Sequence, residues 1–116
     1  MPFDGVWTSE LPGVYDWTRV STLFLEKGRY LGGGPDHFEI GTYKIDGDNI
    51  VADLRVTQYG EVRTLFGAKH KHIDIIVSGK RDGDVIRGTL RLKDAQDDVM
   101  SYQIRLIRRQ DLPPAL

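Results

Sequence analysis

The chain has no cysteine, which excludes a disulfide scaffold, a thiol nucleophile and any zinc site built on thiolates. Long apolar runs are missing too. No segment of the 116 residues approaches the ~20 apolar residues a membrane-spanning helix needs. The opening Met1-Pro2-Phe3-Asp4-Gly5 has neither the basic nor the apolar region of a secretory signal, so the expected location is the cytoplasm, with no membrane partner. An excess of charge is equally absent: 16 Lys and Arg stand against 17 Asp and Glu, a formal charge of -1. That balance gives no overall drive toward nucleic acid, and none is expected as a partner. Helical periodicity is nearly absent as well. The length fits one domain, placed at 1–110, with 111–116 as a short tail ending in the Leu112-Pro113-Pro114 stretch that cannot extend a ladder.

What the chain does have is short stretches rich in β-branched and aromatic residues, cut by Gly and Asp turn signals. Strands are expected at Gly5 to Glu10, Trp17 to Glu26, Arg29 to Leu31, Phe38 to Ile45, Asn49 to Gln58, Val62 to Phe66, His72 to Gly79, Val85 to Leu92 and Val99 to Ile107. In the second, Ser21, Leu23 and Leu25 alternate with Val20, Thr22 and Phe24; in the fifth, Ile50, Ala52, Leu54 and Val56 alternate with Val51, Asp53 and Arg55. Lys27-Gly28, Asp46-Gly47-Asp48 and Asp82-Gly83-Asp84 read as hairpin turns. Gly32-Gly33-Gly34-Pro35 reads as a strand end. Antiparallel strands in sequence, with no room for crossover helices, predict an all-β, up-and-down barrel of about eight strands. Trp7, Leu23, Tyr43, Leu54, Ile75, Leu90 and Leu106 are the expected core. A barrel of this size is either filled by side chains or holds one small ligand.

The residues that carry chemistry are few. His70 and His72 lie two apart and share a face of an extended chain, with His37 as a distant third, yet Lys69 and Lys71 add positive charge where a metal would sit. No metal is expected. The two Asp-Gly-Asp turns open like calcium loops, but Thr57 and Lys93 stand where a bidentate Glu is required. Ser9, Ser21, Ser78 and Ser101 sit in no Gly-x-Ser-x-Gly elbow, and no carboxylate pair stands out. The expectation is therefore no enzyme and no cofactor, with His37 or His72 as the base in a minor catalytic alternative. Arg105, Arg108 and Arg109 charge the last strand without an aromatic stripe for stacking. Gly5-Val6-Trp7 would plug one barrel end with an indole, against which Arg105 or Arg108 could stack by cation–π attraction.

Several stretches together resemble the GrlR-like family, small bacterial calycin (lipocalin-like) barrels named for a negative regulator of type III secretion. They are Asp4-Gly5-Val6-Trp7, the hairpin through Gly28 into Tyr30-Leu31-Gly32-Gly33-Gly34-Pro35-Asp36, Phe38-Glu39-Ile40-Gly41-Thr42-Tyr43 and Asn49-Ile50-Val51-Ala52. The likeness runs from about Asp4 to about Ile107. It implies an eight-stranded barrel, often dimeric, without catalytic activity. It further implies a regulator that works by protein–protein contact, sequestering a transcriptional activator through an acidic tetrad in one hairpin. The corresponding hairpin here keeps Asp46 and Asp48 as its acids, and these are the partner-binding candidates. Trp7, Tyr43 and Arg105 are the candidates for a barrel end or ligand cavity. The alternative function is to carry or sense a small hydrophobic ligand in the barrel interior. A homodimer through the outer face of one sheet is expected, because Leu23 and Leu25 beside Val20 and Phe24, Ile76 beside Ile75 and Val77, and Ile107 beside Leu106 leave strands apolar on both sides.

Overall fold

Alternation along each strand puts one row of side chains inward and one outward, and tight turns keep consecutive strands paired. A computed structural model describes residues 2–94 and 101–114, and among these the chain contains strands and turns and no helix. The strands are β1 (Gly5–Pro12), β2 (Trp17–Glu26), β3 (Arg29–Gly33), β4 (His37–Asp46), β5 (Asn49–Gln58), β6 (Thr64–Leu65), β7 (Ala68–Lys69), β8 (His72–Asp82), β9 (Val85–Leu92) and β10 (Ser101–Gln110). Eight of them close an antiparallel barrel in the order β1-β10-β9-β8-β5-β4-β3-β2, while β6 and β7 form a separate two-stranded hairpin.

Three expected strands keep their bounds, namely β2, β5 and β9. Others run longer: β1 continues through Pro12, β8 through Asp82 and β10 through Gln110, and β3 takes in Gly32 and Gly33. Gly33 pairs with Phe38 and Gly32 with Glu39, so the first two glycines belong to the ladder and the strand ends at Gly33, within the expected stretch. The expected sixth strand is the main correction. Only Thr64 and Leu65 pair there, with Lys69 and Ala68, and β5 passes directly to β8 in the barrel. The expected Val99 and Met100 lie outside the described residues.

The buried apolar residues form one cluster inside the barrel. Six of the seven expected core residues are buried; Leu90 is half-buried and packs against the cluster from its edge. A bulge between Ser9 and Glu10 shifts the β1–β2 register, so that two successive residues are buried. Ser9 faces the interior network described below, and Glu10 meets Arg105 at 3.1 Å.

The two ends of the barrel differ. At the end reached by β1's first residues, Trp7 is wholly buried and its Nε1–H donates to the Phe3 carbonyl at 2.9 Å. The guanidinium of Arg81 lies 5.3 Å from the Trp7 ring and 5.0 Å from the Phe3 ring. It also donates to the carbonyls of Pro2 and Gly83, both at 2.7 Å. The expected arginine of the last strand is thus not the one on the indole. Arg105 stacks instead on Trp17 at 4.4 Å, and Arg108 donates to the Asp4 carbonyl at 2.8 Å. The opposite end, where β5 leaves the barrel and β8 enters it, is covered by the β6–β7 hairpin.

Candidate functional site

Strand parity fixes what enters the barrel from β4. Tyr43 points inward, so Gly41, Glu39 and His37 share its face, while Phe38, Ile40 and Thr42 look outward. A carboxylate is thereby placed in an apolar interior, with its side chain 9% exposed. Ser21, inward-facing on β2, donates its hydroxyl to Glu39 Oε1. Its single proton is then used, so the 2.5 Å contact with Ser9 has Ser9 as the donor. The other carboxylate oxygen, Oε2, stands 3.4 Å from His37 Nε2, an atom that is buried and has no hydrogen-bond partner. The charge on Glu39 reaches Tyr30, whose phenol is pushed well above its ordinary value, first by burial and then by that carboxylate.

Glu39 and His37 look into a cavity of about 140 Å³ at the covered end. Its wall is mostly apolar, with Leu11, Val56, Phe66, Ile73, Ile75 and Leu90 among the lining residues. The β6–β7 hairpin forms its roof. Phe66 packs edge-on against Tyr102 with centroids 4.9 Å apart, and the Phe66 N–H donates to the Tyr102 hydroxyl at 3.3 Å. Gln58 ties down the roof's flanks: its Nε2 donates to the carbonyls of His70 at 2.8 Å and Arg63 at 3.3 Å, and its Oε1 accepts from the Arg63 N–H at 2.9 Å. Arg63 borders the mouth but leans toward Asp36, 4.0 Å away.

The arrangement can bind and polarise. Ser21 is engaged by Glu39 and Ser9, not by the imidazole, so no Ser–His pair is assembled in this cavity. His72 lies on the outer surface, with Nδ1 3.0 Å from the Thr57 hydroxyl, and His70 is exposed. Among the described residues no group of three or more His, Asp or Glu side chains is disposed to hold a metal.

The residues expected at a barrel end, in a ligand cavity or on a partner-binding turn do not line this cavity. Trp7 and Tyr43 belong to the packed end, away from the cavity; Tyr43 donates its hydroxyl to Asp4 at 3.2 Å. Arg105 is on the outer wall with Glu10 and Trp17. Asp46 and Asp48 are exposed on the β4–β5 turn. Beside them, through the β5–β8 pairing and the bond from the Arg81 N–H to the Asp48 carbonyl at 2.8 Å, lies the β8–β9 turn with Asp82 and Asp84. Four aspartates therefore occupy two adjacent turns.

Outside the barrel, a row of apolar residues crosses four strands. Val6 pairs with Phe24, Phe24 with Leu31, and Leu31 with Ile40. Phe24 is 44% exposed, Leu31 37% and Ile40 53%. One step along β4, Phe38 is also exposed and stacks on Tyr59 with centroids 6.1 Å apart. Of the residues expected on such a face, Phe24 is in it, whereas Val20, Ile76 and Ile107 are half-buried. Compared with known proteins, the chain matches no family model and no curated protein.

Proposed function

We propose that the chain is a non-enzymatic binding protein of regulatory type that acts through protein–protein contact in the cytoplasm, as its resemblance to the GrlR-like calycin barrels implies. The observation that carries this reading is the outward row Val6, Phe24, Leu31 and Ile40, continued by Phe38 and Tyr59. Single exposed apolar residues are ordinary on any surface, but a contiguous patch of large ones marks an interaction site. A two-fold contact is the commonest way to cover such a patch, so the first occupant is a second copy of the chain. The four aspartates on the neighbouring turns then remain open to a basic partner such as a transcriptional activator, with Asp46 and Asp48 as the residues carried over from the family's acidic hairpin.

Sedimentation equilibrium at micromolar concentration is expected to give twice the 13.2 kDa chain mass, and Ile40→Glu, at a position already in solvent, to give the monomer. A monomeric wild type that also retains no specific protein from a native lysate would overturn the reading. A second reading, the carrier or sensor of a small ligand, is favoured by one observation: the 140 Å³ apolar cavity has a buried carboxylate on its wall.

A further inference from the structure

We propose that the barrel interior is a binding site for a small organic cation, an amine on a compact apolar body, held by Glu39 and His37. The inference rests on the second reading above and goes beyond it by naming the ligand's chemistry.

An ionised carboxylate taken out of water needs donors and a counter-charge, and leaving it without them is among the costlier things a fold can do. Glu39 has part of what it needs. Ser21 satisfies Oε1 and is itself oriented by Ser9. Among the described residues no lysine or arginine comes within 4.0 Å of the carboxylate, and the basic group against it is the imidazole of His37. Arg63, the cation at the mouth, has its side chain largely in solvent and is directed toward Asp36. Oε2 and the unpartnered His37 Nε2 thus converge 3.4 Å apart at one edge of the cavity. An ammonium group placed there donates one N–H to Oε2 and another to Nε2 of the neutral imidazole, satisfying both atoms at once and supplying the missing charge. An alcohol has a single proton to offer and no charge. A carboxylate meets repulsion from Glu39.

The remaining wall selects the body. The cavity, at about 140 Å³, is close to the ~150 Å³ of an engineered apolar cavity that accepts benzene. It therefore suits one small ring or a short branched chain. Phe66 and Leu65 of the β6–β7 hairpin cap the apolar part, with Phe66 packed on Tyr102 and the hairpin's flank held by Gln58, and the mouth lies beside Arg63.

The test uses the full chain labelled with ¹⁵N and titrated with benzylamine, benzyl alcohol and benzoate, which have similar bodies and different head groups. Benzylamine is expected to move the amide signals of His37, Glu39 and Gly41 and to bind at least about tenfold tighter than benzyl alcohol, the margin of a charge-assisted hydrogen bond over a neutral one. Glu39→Gln, which keeps the size and an acceptor for Ser21, is expected to erase that margin. If this variant fails to fold, the wild-type ranking of the three probes decides alone. Benzyl alcohol binding as tightly as benzylamine, or benzoate binding tightest, would overturn the cation site while leaving an interior carrier intact. Amide shifts confined to the outer surface, or none with any probe, would overturn both.

Discussion

Gly88 offers the most demanding test of the barrel geometry. It lies within β9, opposite Gly79 of β8, where the two strands approach closely. A Cβ added at Gly88 would stand 1.8 Å from the Ser78 carbonyl oxygen and 2.6 Å from the Gly79 Cα. Both are backbone atoms, so no rotamer change relieves the clash. The strands must separate by more than an ångström at this point. Overpacking of this kind costs about 1–3 kcal/mol, and the ladder bonds lost on either side add about 1 kcal/mol each, giving roughly 3–5 kcal/mol for Gly88→Ala. A small domain has only about 5–15 kcal/mol in total. Gly83→Ala is the control. At φ +62° it has nothing within 4 Å of the added carbon, so the substitution incurs only the left-handed backbone cost of about 1–2 kcal/mol. Urea unfolding followed by far-UV circular dichroism reads both. Gly88→Ala is expected to lower the midpoint by about 2 M, with a slope near 2 kcal/mol per molar, or to leave no cooperative transition. A Gly88→Ala midpoint no lower than that of Gly83→Ala would show that β8 and β9 do not meet as described.

Arg81→Met keeps the length of the side chain but removes the cation from the Phe3 and Trp7 rings and the donors from the Pro2 and Gly83 carbonyls. It is expected to destabilise the fold by about 2–3 kcal/mol in urea, and an unchanged midpoint would mean that the packed end does not depend on it. The raised Tyr30 phenol sets a pH dependence: in the unfolded chain it ionises near its ordinary value of about 10, while in the folded barrel it keeps its proton. The unfolded state then holds fewer protons, so stability falls as pH rises through about 10. Tyr30→Phe should flatten that alkaline loss in urea midpoints taken between neutral pH and the onset of base denaturation. An identical slope in the variant would place the alkaline sensitivity elsewhere.

Much of the barrel is legible in the sequence because its signals are local. Asn49 to Gln58 alternates without interruption and is bounded by turn residues, so both its limits and its inward face follow from periodicity. The β4–β5 and β8–β9 turns place Gly47 and Gly83 at φ +61° and +62°, the first position of a two-residue hairpin loop where glycine is favoured. The β6–β7 hairpin was harder to read. Its turn is Phe66-Gly67, with Phe66 at φ 53° where Asn or Asp is usual, and a short apolar run reads the same whether it joins a barrel or roofs one. Which arginine covers Trp7 does not follow from periodicity, because the stack depends on where β8 finishes, three residues past the expected end at Gly79. For Glu39, strand parity and side-chain polarity give opposite answers. If Tyr43 is inside, parity puts Glu39 inside and Phe38 and Ile40 outside, the reverse of what their polarity suggests. That inversion on one strand creates the interior carboxylate and adds Phe38 and Ile40 to the apolar outer row.

Seven of the eight ladders in the barrel join strands that follow one another or are separated only by the roof hairpin; the eighth joins β1 to β10, across almost the whole chain. Before that ladder forms, the meander is an open ribbon with two free edges that match each other in register. A β1 edge finds the same complement on its own β10 or on that of another molecule, so intramolecular closure competes with exchange between chains. Dilution favours the closed monomeric barrel and crowding favours exchanged pairs. Once closed, the ring presents no edge, and the choice made during folding is retained until β1 and β10 separate again.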